Sequence, residues 1–231
     1  MSMGVKVGAA GRRRKGGESI TERVHHPIFA RLYEGIASTA DRRGADEHRR
    51  KLLNGLVGRV IEVGAGHGAN FPYYPTSVEQ VVAVEPEEYL RQRAEQQAAA
   101  LAPVRINVVN GLADELPGED GSFDAGVVAL VLCTVPDQER ALAELFRVIK
   151  PGGELRFYEH VIARKPHGAS LQRLVDATFW PKVFGGCHPT RETAEAIEQA
   201  GFVIESCERF TFSPGPLVPL PYILGVARRP G

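Results

Sequence analysis

The sequence predicts an α/β fold: an open, mostly parallel seven-stranded sheet with one antiparallel edge strand. Three observations carry that expectation. Short β-branched and apolar runs alternate with longer helical stretches, the order in which parallel strands and their crossover helices are laid down. The stretch 60–70, VIEVGAGHGAN, passes from an apolar run into glycines at 64, 66 and 68. The last two strand segments, 202–212 and 222–227, have no helix between them, which implies an antiparallel pairing at the sheet edge.

Taken in order, residues 1–23 form a glycine-rich tail without a repeating apolar face. Residues 24–57 read as two helical pieces, the first with Ile28, Phe29, Leu32, Tyr33 and Ile36 at helical spacing and Gly44 near the break. The first strand is 59–63, and Pro72 and Pro75 interrupt any helix soon after the glycines. A second strand, 81–85, ends in Glu85; the helix 87–102 is stopped by Pro103. Strands follow at 104–109 and 123–132, the latter apolar enough to be buried on both faces of a parallel sheet. Asp137 can cap the next helix, whose Leu142, Leu145, Phe146 and Ile149 form one stripe before Pro151-Gly152-Gly153 stops it. A fifth strand at 154–162 precedes helices at 169–179 and 190–200, the latter with Thr190 as N-cap and Gly201 past its end. Pro214, Pro216, Pro219 and Pro221 lie in the connection between the last two strands.

Length and composition bound the function. With 231 residues, one sizeable core is expected. Hydrophobic residues at 43% and charged ones at 24% suit a soluble globular chain. There are 28 basic and 28 acidic residues, so no global field draws in nucleic acid or an anionic membrane. The first 23 residues are locally basic, with the cluster Arg12, Arg13, Arg14 and Lys15. No apolar run is long enough to span a bilayer and no signal peptide is visible, so a cytoplasmic chain is expected. Cys133, Cys187 and Cys207 are far apart without a C-x-x-C, which indicates neither a disulfide framework nor a zinc site. Cys133 and Cys187 read as small buried hydrophobes.

The alternate glycines let the backbone turn tightly and approach a ligand closely. Their spacing is G-x-G-x-G, whereas dinucleotide-binding units carry G-x-G-x-x-G and run straight into a long helix. A tight turn without a ligand is the alternative. Glu62 and Glu85 favour a site, because a carboxylate ending the second strand stands where such folds bond ribose hydroxyls.

The segments VIEVGAGHGAN, VVAVEP, GLADELP, FDAGVVALVLCTVPD and LFRVIKPGGELRFYEHV, in this order, resemble the class I S-adenosylmethionine-dependent methyltransferases over roughly 58–161. The run on to HV and the later DATFWPKVFGGCHPTRET are similar to the small-molecule thiol methyltransferases of the methyltransferase-like group. The resemblance implies a Rossmann-like class I methyltransferase fold as one domain over 24–231, with S-adenosylmethionine as cofactor and S-adenosylhomocysteine as product. It implies that Glu62, Gly64, Ala65 and Gly66 hold the methionine end. Glu85 would bind the ribose hydroxyls, with Pro86 also against the cofactor; backbone groups near Leu112 and Ala113, or Asp114, would take the adenine, and Ala129 and Leu130 would floor the transfer site. Residues 163–190 would cover an acceptor pocket lined by Tyr33, Leu130, Trp180 and His188; for Trp180 and Phe184 ordinary core packing is the other reading.

Two departures matter. The hydrophobic N-terminal anchor of the animal relatives is absent, so no membrane anchor is expected, and Leu112 stands where many members carry an acid. No D-P-P-Y-like segment follows the fourth strand, which counts against base amines and hence against nucleic-acid acceptors. His160 is the expected catalytic residue, as general base or thiolate stabiliser, with a structural histidine as the alternative. His67 reads as a solvent-facing turn residue. The expected activity is methylation of an apolar thiol; an oxygen or nitrogen acceptor, or a non-catalytic cofactor-binding module, are the competing readings.

Overall fold

The computed structural model describes residues 41–214 and 219–231. The basic tail, the first helical piece and Tyr33 lie outside the described residues. A helical turn, Asp41–Ala45, runs into α1 (Asp46–Leu53), and Gly44, at φ 111°, marks the break between them. The chain continues through β1 (Gly58–Val63), β2 (Val78–Val84), α2 (Glu88–Leu101), β3 (Arg105–Val109) and β4 (Phe123–Ala129). It then forms α3 (Gln138–Val148), β5 (Ile149–His160), α4 (Pro166–Thr178), the single turn α5 (Trp180–Val183) and α6 (Thr193–Gln199). Two strands, β6 (Val203–Phe212) and β7 (Leu220–Arg228), complete it.

All seven expected strands form one sheet, in the order β3-β2-β1-β4-β5-β7-β6. β1 to β5 pair in parallel, and β7 runs antiparallel to both of its neighbours. The antiparallel strand therefore slots between β5 and β6 at that end of the sheet. Winding reverses between β1 and β4, which opens a crevice beyond their carboxyl ends.

Strand alternation sorts the core into two layers. Ile61, Val63, Leu155 and Phe157 face α3 and α6, packing with Leu142, Leu145 and Ile197. Val60, Val81, Val127 and Tyr158 face the other way, against Leu52 and Leu53 of α1 and Ala94 of α2. Glu62 shares the face of Val60, because side chains two apart on a strand point the same way. It is thereby carried into an apolar layer.

Several boundaries differ from the sequence expectation. β4 ends at Ala129 instead of 132, because Leu130 adopts φ 62°, the only positive φ at a non-glycine residue among those described. β5 begins at Ile149, before the Pro-Gly-Gly segment expected to precede it. The register shifts from Phe123 opposite Ile149 to Ala125 opposite Glu154, so those residues bulge out within the strand. Glu192, not Thr190, occupies the N-cap position of α6. The Thr190 hydroxyl instead donates to Asp176 Oδ2 at 2.6 Å.

Candidate active site

The crevice beyond β1, β2, β4 and β5 is shaped first by the glycine turn. The N–H groups of Gly64 and Ala65 donate to the carbonyl of Val84 at 2.8 and 3.2 Å, which ties the turn to the tip of β2. Gly64 has φ 68°, and a Cβ there would lie 2.4 Å from Val131 Cγ2. Only glycine lets β1 and the post-β4 segment approach so closely.

Glu85 faces the turn. Its Oε2 accepts from Gly66 N–H at 2.8 Å and its Oε1 from Glu87 N–H at 3.0 Å, and the residue is 5% exposed. Burial pushes its pKa up to about 7 despite those hydrogen bonds. Each oxygen keeps a second lone pair, so the carboxylate can accept two hydroxyl donors in addition. Pro86, Leu112 and Ala113 stand half-buried beyond β2 and β3. Arg91 of α2 binds these tips together, donating to the carbonyls of Glu85 and Pro86 at 3.0 Å each and to Asn110 Oδ1 at 3.4 Å. Sequence reading passed over Arg91; the signal was a cation six residues after the strand-ending acid, within the next helix.

Glu62 props the turn from the α1 side. Its Oε1 accepts from Asn70 Nδ2 at 2.8 Å and its Oε2 from the Tyr74 hydroxyl at 2.7 Å, while Arg49 donates to Asn70 Oδ1 at 2.8 Å. All four residues are buried. Desolvation raises the Glu62 pKa to about 7 against these bonds. His67 is 8% exposed, which corrects the expectation of a solvent-facing turn residue.

On the opposite side, Glu159 organises the segment after β4. Its Oε1 accepts from the N–H groups of Val131 and Leu132 at 2.9 and 3.0 Å, and its Oε2 from Cys133 N–H at 3.1 Å. Arg191 donates to the carbonyls of Leu132 and, at 2.7 Å, Val135. Ala129 and Leu130, both half-buried, thus sit at the mouth of a segment held from two directions. The role of Glu159 was not apparent from sequence, since an acid beside a histidine at a strand end has many uses.

His160 ends β5, with its ring 4.5 Å from that of Tyr222 and tilted to it. Its Nδ1 lies 3.4 Å from Cys187 Sγ and 3.7 Å from Cys133 Sγ. Its buried Nε2 has no hydrogen-bond partner among the described residues. Trp180 stacks on Phe184 at 4.1 Å, and its Nε1 is likewise buried without such a partner. The His188 ring is held by Asp176 at 2.9 Å, and its backbone N–H donates to the Cys133 carbonyl at 2.7 Å. The residues expected to line the acceptor pocket therefore divide: Leu130 and His160 stand at the strand ends, Trp180 and His188 on the segment from α5 to α6.

A glycine turn leaving the central strand, an acid ending the next strand and a crevice at the reversal of winding make a nucleotide-cofactor site, and kinship with known methyltransferases makes it that of a class I S-adenosylmethionine-dependent methyltransferase, with S-adenosylmethionine as its cofactor. Residues 61–157 match the family described as methyltransferase domain. Human thiol S-methyltransferase TMT1B is 36% identical over 187 residues, 77% of this chain and 74% of that protein. The chain belongs to the family of these enzymes. Human thiol S-methyltransferase TMT1A is also 36% identical, over 145 residues, and there the match spans 62% of this chain and 59% of the relative's length. Among solved structures, a SAM-dependent methyltransferase from Thermotoga maritima superposes with a TM-score of 0.66, 22% identity and coverage of 91% of this chain and 98% of that one.

Proposed function

We propose that this chain transfers the methyl group of S-adenosylmethionine to the sulfur of a small apolar thiol. The observation that carries the reading is the segment Ala129-Leu130-Val131-Leu132-Cys133, which leaves the end of β4 at the crevice and would floor the transfer site. It is apolar in sequence, and its N–H groups from 131 to 133 are all turned to Glu159. Its side chains carry no charge and no carboxamide with which to orient or deprotonate an amine. A thiol is a few per cent thiolate at neutral pH and nucleophilic, so it asks less of its surroundings. Two relatives being thiol S-methyltransferases supports the same choice. A formal charge of zero gives the chain no global field that would draw in a nucleic-acid acceptor.

The turn at Gly64, Ala65 and Gly66 would hold the methionine end, with Glu62 bracing it through Asn70. Glu85 would accept from both ribose hydroxyls, and Pro86, Leu112 and Ala113 would enclose the adenine. Residues 163–190 would cover the acceptor, with Trp180 and His188 against its apolar body. The bound sulfonium supplies the electrophilic methyl carbon. The protein aligns the acceptor sulfur with it, so that one carbon–sulfur bond forms as the other breaks. His160, at the end of β5, would stabilise the thiolate or take the thiol proton.

The test offers one apolar scaffold as thiol, phenol and amine to the purified chain with S-adenosylmethionine. Methylated product and S-adenosylhomocysteine are followed by mass spectrometry. Product from the thiol alone is expected. Product from only the phenol or the amine would overturn the sulfur assignment, and cofactor binding without any product would favour a binding module.

A further inference from the structure

Cys133, His160 and Cys187 are 27 and 54 residues apart in pairs, yet Nδ1 and the two Sγ atoms meet at the carboxyl ends of β4 and β5. Cys187 Sγ is 3.7 Å from Cys133 Sγ, and His160 Nδ1 is 3.7 and 3.4 Å from the two sulfurs. A tetrahedral zinc ion with Zn–S of about 2.3 Å and Zn–N of about 2.0–2.1 Å sets its donors about 3.8 Å apart for sulfur pairs and about 3.6 Å for sulfur–nitrogen pairs. The three donors already form one face of that tetrahedron. A disulfide would need the sulfurs at about 2.05 Å, far inside their present separation.

The surroundings hold the donors in place. Cys133 N–H is bonded to Glu159, its carbonyl accepts from His188 N–H, and Cys187 N–H donates to the Phe184 carbonyl at 3.1 Å. Both cysteines are buried. Two thiolates and a neutral imidazole balance a divalent charge, as a buried site requires. No fourth histidine, cysteine or carboxylate joins them among the described residues, and three such ligands with an open position is the pattern of catalytic zinc. Structural zinc sites are closed by a fourth side chain.

We propose that Cys133, His160 and Cys187 bind zinc beside the transfer site, and that the acceptor thiol takes the fourth position. This rests on the thiol reading above. Zinc-bound hydroxide takes the thiol proton and leaves as water, and the thiolate replaces it on the metal. A sulfur lone pair then forms the new carbon–sulfur bond while the sulfonium bond breaks, its electron pair remaining on S-adenosylhomocysteine. The neutral thioether leaves, water returns to the metal, and its loss of one proton to solvent restores the hydroxide. No atom changes oxidation state at the metal.

The test uses the full chain, reduced, stripped with a chelator and titrated with cobalt(II). Tetrahedral ligand-field bands and thiolate-to-cobalt charge transfer should saturate at one equivalent. They should be lost in Cys133→Ala and Cys187→Ala variants that still bind S-adenosylmethionine, which shows those variants are folded. No bands in the native chain, or the same bands in both variants, would overturn the site. An aliphatic thiol should shift the bands while the matching phenol does not; an unmoved spectrum would overturn the open position. Stripping should slow thiol methylation about tenfold or more, since only a few per cent of a free thiol is ionised, and zinc should restore it. Undiminished turnover in the stripped chain would overturn the catalytic role and leave S-methylation standing. A thiol-responsive spectrum without thiol product would retain the site and sink the S-methylation reading.

Discussion

At Glu85, burial and ligand binding pull in opposite directions. Desolvation holds its pKa at about 7, whereas hydroxyl donors from a ribose favour the ionised form. Binding should therefore release a proton, and affinity should rise with pH through that pKa. From pH 8 to pH 6 the Kd for S-adenosylmethionine is expected to weaken about tenfold, the slope of one linked proton. Glu85→Gln should weaken binding at pH 8 by about 1.5–3 kcal/mol, the scale for hydrogen bonds to a charged group, and flatten the profile. Glu62→Gln should keep the slope, because Glu62 bonds Asn70 and Tyr74 rather than facing Gly66. Calorimetric titration across that range checks this, and a flat native profile would remove Glu85 from the ribose. The position of Glu85 was legible because a carboxylate ending an apolar run is conspicuous. The burial of His67 was not, because a turn residue's exposure depends on packing across space.

The element that departs most from its sequence pattern is the end of β4. Ten mostly apolar residues, 123–132, read as one strand. Periodicity cannot reveal that Leu130 will take φ 62° and that the next three N–H groups will leave the ladder for a carboxylate. That decision is made by Glu159 on the neighbouring strand, so it is a tertiary fact. Burial also raises the Glu159 pKa against its three N–H bonds. Gln at 159 would keep one acceptor oxygen and set an amide donor against a backbone donor. Glu159→Gln is expected to cost about 2–3 kcal/mol, the scale for leaving a buried donor unpaired, and to lower Tm by about 4–12 °C. Thermal unfolding reads the stability loss, and turnover should fall more than cofactor affinity because the transfer floor is what loosens. An unchanged Tm would mean that water replaces the lost bond. The Pro-Gly-Gly segment carries the same lesson: local chemistry announces a helix stop, and the sheet absorbs it as a bulge.

Across the whole molecule, the spacing of the apolar runs was enough to read the sheet, and β1 to β5 stay parallel although no α-helix lies between β1 and β2 or between β3 and β4. Meetings between distant strand ends were not, and Cys133, His160 and Cys187 looked isolated for that reason. The same sheet collects buried carboxyls at its carboxyl edge, and they set how stability responds to pH. Glu62 and Glu85 release their protons near pH 4.5 when unfolded and near 7 when folded, and Glu159 is displaced upward too. Between those values the folded chain holds more protons than the unfolded one, so stability is fully present below about 4.5 and lost as pH rises to about 7. For Glu62 and Glu85 the loss is about 3 kcal/mol each, at about 1.4 kcal/mol per pKa unit. The acid side runs the other way. At Asp124 desolvation is outweighed by Lys150 and the Arg59 N–H, and at Glu144 the Arg147 guanidinium lowers the pKa. Their contributions are present above the ordinary carboxylate range and lost as pH falls through the folded values. The cofactor-free chain should accordingly be most stable near pH 5, and urea midpoints measured from pH 3.5 to 8 should decline on both sides. Glu62→Gln should make the decline from 5 to 7 shallower without moving the acid limb. A native midpoint that rises from pH 5 to 7 would mean that these carboxyls are ionised in the folded core, held there by Arg49, Asn70 and Tyr74 more strongly than burial opposes.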